Sequence, residues 1–387
     1  MKKINVLFVN PLWKPYVGGI EKTIEYLSEN LQKRDEIRKI GILTSFNNHP
    51  VGVFKNLPAK ENINNLEIYR LNFFPRGKYL NLGLVNGGYF AFGIKKVLNE
   101  FKPDVIHFMC SNWYIPNLII YLYYKNKAKF CYSVIYHDIK TSFPYNFFYF
   151  PKILINRFLT NHVDVVSVIT EIEKEKVCKI YHPPLHKFKI IPLGINFPKL
   201  YPKKNEQGVT IICVGRLERG KGQLHLVEIY NQLLKRIKIK TKLILVGADG
   251  GDRKKIEDYI KNNNLSNYVE VLEYVSEKQL HLLYRKADIF VLLTQYESFG
   301  LVFLEALSYK IPILTYDTGA IPEVLKEGAI LVKPDDDSSL LYSFKRLVEN
   351  KQLRIDLGLK GYNYIKNIFS WKKTADDFLQ LYEAILK

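Results

Sequence analysis

The stretch Val209-Thr210-Ile211-Ile212-Cys213-Val214-Gly215-Arg216-Leu217-Glu218-Arg219-Gly220-Lys221-Gly222 decides the fold. Its first six residues form a β-branched, apolar run of the length of a buried parallel strand, and the glycine-punctuated turn after it leads into a helical pattern beginning near Gln223. Strand, glycine loop, helix is the opening of a doubly wound α/β unit. The chain itself starts the same way: Ile4–Val9 reads as a strand ending at Asn10-Pro11, Gly18-Gly19 as the loop, and Ile20 to about Lys33 as the helix.

Outward from these two openings the alternation continues. Strands are expected at Lys39–Thr44, Leu66–Leu71, Val105–Met109, Phe130–Tyr136 and Val163–Ile169 in the first half. The second half offers Lys242–Val246, Val269–Leu272, Ile289–Leu293, Ile311–Thr315 and Ala329–Val332. The periodicity breaks near Ile190–Asn196, and a polar stretch from Pro198 to Gly208 follows. At 387 residues the chain exceeds what one core usually holds, about 250–300 residues. Two domains are therefore expected, 1–195 and 196–368, followed by a helix at 369–387. The apolar positions Ala375, Phe378, Leu379, Tyr382 and Ile385 give that last helix one buried face.

The net charge is +19, and residues 1–200 hold 28 Lys and Arg against 14 Asp and Glu. Such a surface suits a polyanion, an anionic bilayer or an acidic ligand, although a Lys-rich composition without any partner explains it equally well. Nucleic acid is not expected as a partner, because no zinc-finger spacing, RNA-binding sheet motif or basic heptad accompanies the charge. Cys110, Cys131, Cys178 and Cys213 lack C-x-x-C spacing and read as buried thiols. No run approaches the ~18 apolar residues of a membrane-spanning helix, and the opening apolar run is too short for a signal peptide. A cytoplasmic protein is expected, at most docked on the inner face of the cell membrane.

Three glycine turns carry candidate chemistry. Arg216 and Lys221, in the loop after the strand Val209–Val214, supply the two positive charges and close backbone approach that a diphosphate needs, unless they merely decorate a turn. The second is Glu297-Ser298-Phe299-Gly300-Leu301-Val302-Phe303-Leu304-Glu305. A helix starting near Gly300 would aim free N–H groups at anionic oxygen, and its two carboxylates could accept from sugar and ribose hydroxyls. Glu305 is otherwise an odd charge beside Leu301, Leu304 and Leu307. The third, Thr318-Gly319-Ala320-Ile321-Pro322-Glu323, suits a helix start with or without a ligand. Between Phe143 and Phe150 six of eight residues are aromatic, with Lys152 and Arg157 just beyond. That composition fits an interfacial segment on anionic lipid, or a segment packed into the first domain's core.

Taken together these residues resemble glycosyltransferase family 4, with the GT-B fold: two facing doubly wound Rossmann-like domains, the C-terminal helix packing back toward the N-terminal one. The likeness runs from Gly18-Gly19-Ile20-Glu21 through His137-Asp138, Ile191-Pro192-Leu193-Gly194-Ile195-Asn196, Gly215-Arg216 with Lys221-Gly222, and Glu297 to Glu305, to Phe369-Ser370-Trp371. It implies a retaining, nucleotide-sugar-dependent hexosyltransferase with 1–195 on the acceptor side, 196–368 binding the donor and a crossover helix at 369–387. Arg216 and Lys221 would bind the donor diphosphate, Glu297 would face the donor sugar, and Glu305 would hold the ribose. Backbone around Phe299, Gly300 and Leu301 would complete the pocket. Gly19 would let the first loop approach, and His137 would touch the sugar near the reacting carbon. Glu21, His107 and Asp138 are candidate acceptor-side residues. No cofactor or metal is expected, the UDP- or GDP-linked sugar being a co-substrate and the acceptor a lipid-linked or other glycan. Gly319-Ala320 departs from the family's usual glycine pair, and the extra methyl is expected to narrow the pocket. Rival readings are an epimerase of the same architecture, which would turn over donor alone, and a non-catalytic nucleotide-sugar or polyanion binder.

Overall fold

All six residues of the first strand, β1 (Ile4–Val9), are buried, as a parallel strand covered on both faces must be. The structure is a computed structural model that describes residues 3–15, 18–48, 52–53, 57–71, 73–74, 90–91, 93–134, 145–199, 208–273 and 275–387. The chain divides into two units, Met1–Gly194 with Trp371–Lys387, and Ile195–Ser370.

The first unit is built on an eight-stranded sheet. After β1 come β2 (Ile37–Ser45), β3 (Lys60–Ile63), β4 (Leu66–Leu71), β5 (Val105–Phe108), β6 (Lys129–Ser133), β7 (Val165–Val168) and β8 (Phe188–Ile190). Their spatial order is β8-β7-β6-β5-β1-β2-β4-β3, and every neighbouring pair is parallel except β3 with β4. The helices are α1 (Gly19–Leu31), α2 (Ile94–Phe101), α3 (Tyr114–Tyr124), α4 (Tyr145–His162) and α5 (Glu171–Tyr181).

In the second unit strands and helices alternate: β9 (Val209–Val214), α6 (Gln223–Leu234), β10 (Thr241–Val246), α7 (Arg253–Asn262), β11 (Val269–Leu272) and α8 (Glu277–Lys286). Then follow β12 (Ile289–Leu292), α9 (Leu301–Ser308), β13 (Ile313–Tyr316), α10 (Ile321–Leu325), β14 (Ala329–Val332), α11 (Asp337–Glu349) and α12 (Lys351–Ile368). The sheet runs β11-β10-β9-β12-β13-β14, parallel throughout. The last helix, α13 (Trp371–Leu386), returns to the first unit and lies on α1. It buries Ala375, Phe378, Leu379 and Tyr382, the expected face, while Ile385 is half-buried. Trp371 sets its ring 5.3 Å from Tyr26, and Arg34 pairs with Asp376 at 2.6 Å.

Two strands have no sequence signature. Edge strand β3 is Lys-Glu-Asn-Ile with no buried residue, and β8 has three residues, too few to show a period. On α4, Lys152 is half-buried and donates to Asn112 Oδ1 at 2.7 Å, where burial lowers its pKa. Among the described residues no helix is long and apolar enough to cross a membrane.

Candidate active site

In the second sheet the chain winds outward from β9 through β10 to β11, then crosses back to place β12 on the other flank of β9. The strand order therefore reverses between β9 and β12, and ligands of open parallel sheets bind outside the carboxyl ends at such a reversal. The loop after β9 carries Arg216 and Lys221, and the loop after β12 carries Glu297 and Gly300.

These two loops are fastened to each other. The Gln295 N–H donates to the Gly220 carbonyl at 2.9 Å, and the Thr294 hydroxyl donates to the same oxygen at 3.2 Å. Gly222 closes the first loop at φ +70°, where a Cβ would lie 2.2 Å from the Leu293 carbonyl oxygen, so only glycine fits. Across this seam the Lys221 ammonium forms an ion pair with the Glu297 carboxylate, both side chains being largely buried. Arg216 is two-thirds exposed and meets Glu218 at 3.3 Å.

The third turn buttresses the second. Gly319 sits at φ +54° with its Cα against the Glu297 backbone: an added Cβ would come 2.3 Å from the Glu297 carbonyl oxygen. The Ala320 N–H donates to that oxygen at 2.9 Å. Ala320 itself has φ −85°, which any residue adopts, and is fully buried. Its methyl is packed inside the unit, which corrects the expectation of a narrowed pocket.

Gly300, at φ +77°, is the N-cap of α9, and the first N–H groups of that helix have no intrahelical acceptor. Phe299 beside it is buried with its ring edge-on to Phe369 at 5.7 Å. Leu301 and Glu305 are half-buried on α9, and Glu305 Oε2 accepts from the Tyr284 hydroxyl at 3.0 Å. Burial and the adjacent carboxylate push the Tyr284 phenol well above its usual pKa. So the odd charge on an apolar helix has a buried donor beneath it, 21 residues away in sequence and without a sequence signal.

The first unit treats its candidates differently. Gly19 opens α1, and a Cβ there would meet nothing within 4 Å, so internal packing does not require glycine. Both oxygens of Glu21 are engaged: one accepts from the Gly18 N–H at 2.9 Å, the other from Asn10 Nδ2 at 2.9 Å. Burial, partly offset by those bonds, raises its pKa. Glu21 caps α1 and ties it to the end of β1, in place of the acceptor-side contact expected of it. His107 is also corrected. It is fully buried, hydrogen-bonded to the Tyr382 and Ser133 hydroxyls at 2.7 Å each and flanked by Phe8 and Phe378. Burial takes its pKa down to about 3, so it is a neutral core residue rather than a cleft-lining one. His137 and Asp138 lie outside the described residues. Among the described residues no three His, Cys, Asp or Glu side chains group as a metal would need.

A paired carboxylate and ammonium and a helix amino end thus stand at one sheet reversal, with the guanidinium of Arg216 exposed on the loop after β9, an arrangement able to hold an anionic leaving group beside hydroxyl-bearing groups. Residues 17–197 match the model of Glycosyltransferase Family 4, and residues 200–364 that of Glycosyl transferases group 1. An uncharacterised glycosyltransferase of Methanocaldococcus jannaschii is 25% identical over 395 residues, covering 96% of this chain and 95% of that protein. Sucrose-phosphate synthase from Thermosynechococcus elongatus matches with a TM-score of 0.77 at 18% identity over 99% of both chains. The Anabaena protein HepE in complex with UDP and glucose matches with a TM-score of 0.74 at 17% identity, over 98% of this chain and 99% of that one. At those identities the likeness shows the fold, which is GT-B. The two family matches adjoin and leave out little beyond the chain's two ends, and the chain belongs to the glycosyltransferases of the family 4 type.

Proposed function

We propose that this glycosyltransferase moves a hexose, with retention of anomeric configuration, from a UDP- or GDP-linked donor to a lipid-linked saccharide at the inner face of the cell membrane, in cell-surface glycan synthesis. The observation that carries the donor half is the Lys221–Glu297 ion pair at the sheet reversal. A solved relative in fold holds UDP and glucose, which supports a uridine donor.

Cleavage of the sugar–phosphate bond sends its electron pair to the leaving diphosphate and leaves oxocarbenium character on the sugar. Preset positive charge around the phosphates is then the largest stabilising effect available. Arg216, Lys221 and the amino end of α9 supply it. When a phosphate oxygen takes over the Lys221 ammonium, Glu297 is released to accept from donor-sugar hydroxyls, while Glu305, steadied by Tyr284, accepts from the ribose. The acceptor hydroxyl oxygen bonds the anomeric carbon on the face the phosphate leaves, and its proton passes to the departing phosphate oxygen. Gly19 would leave the first loop room to approach, and His137 and Asp138 would face the donor sugar and the acceptor.

The lipid-linked acceptor rests on α3 and α4, neither of which contains an acidic residue. On α4, Phe150 and Leu154 are 64% and 48% exposed, and with Phe158 they recur every fourth residue, forming one stripe. Arg157 is exposed beside it. An apolar stripe with a cationic flank suits an anionic interface.

The test is to incubate the protein with UDP- and GDP-sugars, with and without a bacterial lipid extract, and to quantify released nucleoside diphosphate. Release should depend on one donor, rise with the extract, and drop at least tenfold in Glu305→Ala. Nucleotide binding without release from any donor would leave a non-catalytic binder, and conversion of donor alone would favour an epimerase.

A further inference from the structure

We infer that Gln223 is a positioning residue for the donor diphosphate, acting through the backbone of Arg216. This deepens the donor-site reading and rests on it. Gln223 opens α6 immediately after Gly222 and is 1% exposed. Its Nε2 donates to the Gly215 carbonyl at 3.2 Å and to the Arg216 carbonyl at 2.9 Å. Its own side-chain oxygen is buried and makes no hydrogen bond among the described residues, so the amide is held here as a donor.

Those two carbonyls belong to the two peptide planes that flank the Arg216 Cα. A trans peptide is planar, so orienting its carbonyl orients the whole unit. Pinning both planes sets φ and ψ of Arg216 and with them the direction in which its side chain leaves the backbone. The rest of the loop agrees with this. Gly215 N–H donates to the Val246 carbonyl and Leu217 N–H to the Ala248 carbonyl, each at 2.9 Å. The Gly215 carbonyl is wedged against Gly247, where a Cβ would come within 1.9 Å of its oxygen. Arg216 sits between these ties, and its side chain is itself two-thirds exposed with one surface carboxylate at 3.3 Å, a contact too weak to aim it. The guanidinium is directed from its backbone end, and Gln223, which bonds both carbonyls at once, is the side chain that joins the two planes.

The test is a double-mutant cycle on nucleotide affinity, with UDP and GDP as probes in calorimetry and thermal unfolding recorded for each variant. Arg216→Ala should weaken the nucleotide that wild type binds by at least tenfold. Gln223→Met keeps the shape and removes the donor, and should weaken it about tenfold, the scale of re-fixing one residue's backbone. The double variant should be no weaker than Arg216→Ala alone, since Gln223 acts only through that residue. If Gln223→Met does not fold, the isosteric Gln223→Glu takes its place in the cycle. Unchanged affinity in the Gln223 variant, or losses that multiply in the double variant, would overturn the inference. A separate result, Arg216→Ala binding as well as wild type or neither nucleotide binding at all, would instead remove the donor-site reading beneath it.

Discussion

His107 shows how much one residue's meaning depends on its surroundings. As a histidine at the end of a strand it has the profile of a site residue; enclosed by Phe8, Phe378 and Tyr382 it is a neutral hydrogen-bonding core group. Its pKa of about 3 in the folded chain lies below its ordinary 6.5. As pH falls through 6.5 the unfolded chain takes a proton that the folded chain refuses until near pH 3. Stability is thus full above 6.5 and declines by about 1.4 kcal/mol per pH unit below it. Urea unfolding of wild type and His107→Gln at pH 7.5 and 5.0 should show the stability gap between them shrinking by about 2 kcal/mol at the lower pH. Identical pH dependence in both proteins would mean that His107 accepts its proton while folded. Lys221 and Glu297, in contrast, were legible as candidates because each sits in a glycine turn directly after a strand. Gln223 and Tyr284 were not, since a buried amide's carbonyl partners and a phenol's distant carboxylate leave no mark in local spacing.

At the scale of elements, the strands that sequence revealed carry a short β-branched or aromatic run beside a turn, and the plainest of them, β1 and β12, are buried at every residue. The polar edge strand β3 and the three-residue β8 pair because neighbours present free backbone groups to them, which is not written in their own residues. Helix α4 shows a third case. Its aromatic content suits either a core or an interface, and the structure leaves Phe150 and Leu154 on the outside while half-burying Lys152. Replacing both with serine should reduce cosedimentation with phosphatidylglycerol-containing vesicles at least tenfold, given about 1.5–3 kcal/mol for each apolar side chain withdrawn from water. Thermal stability should stay near that of wild type because both positions face out. Equal vesicle binding by the variant would remove α4 from the interface.

Across the whole molecule, the segment Trp371–Lys387 completes a unit that begins at the other end of the chain. Helix α13 lies on α1, and its Phe378 and Tyr382 roof over His107. A chain ending at Ser370 loses that cover, so limited trypsin digestion should degrade the first unit rapidly while a fragment near 195–370, whose parallel sheet is self-contained, persists. A truncated first unit as resistant as that of the full-length chain would show α13 to be dispensable for it. The charge of +19 is a property of the same scale; it favours anionic surfaces generally and leaves the choice of surface to geometry such as the α4 stripe.

By itself, the sequence determined the alternation of strand, glycine turn and helix, the pair of sheets, and the loops in which donor chemistry is to be sought. Those features are local, set by periodicity and by conformations that only glycine adopts. Tertiary structure alone decided that Lys221 pairs with Glu297, that Glu21 and His107 are structural, that Ala320 is buried, and that Gln223 holds the Arg216 backbone. Each of these depends on which distant segment fills the space beside a side chain, and only packing of the whole unit settles that.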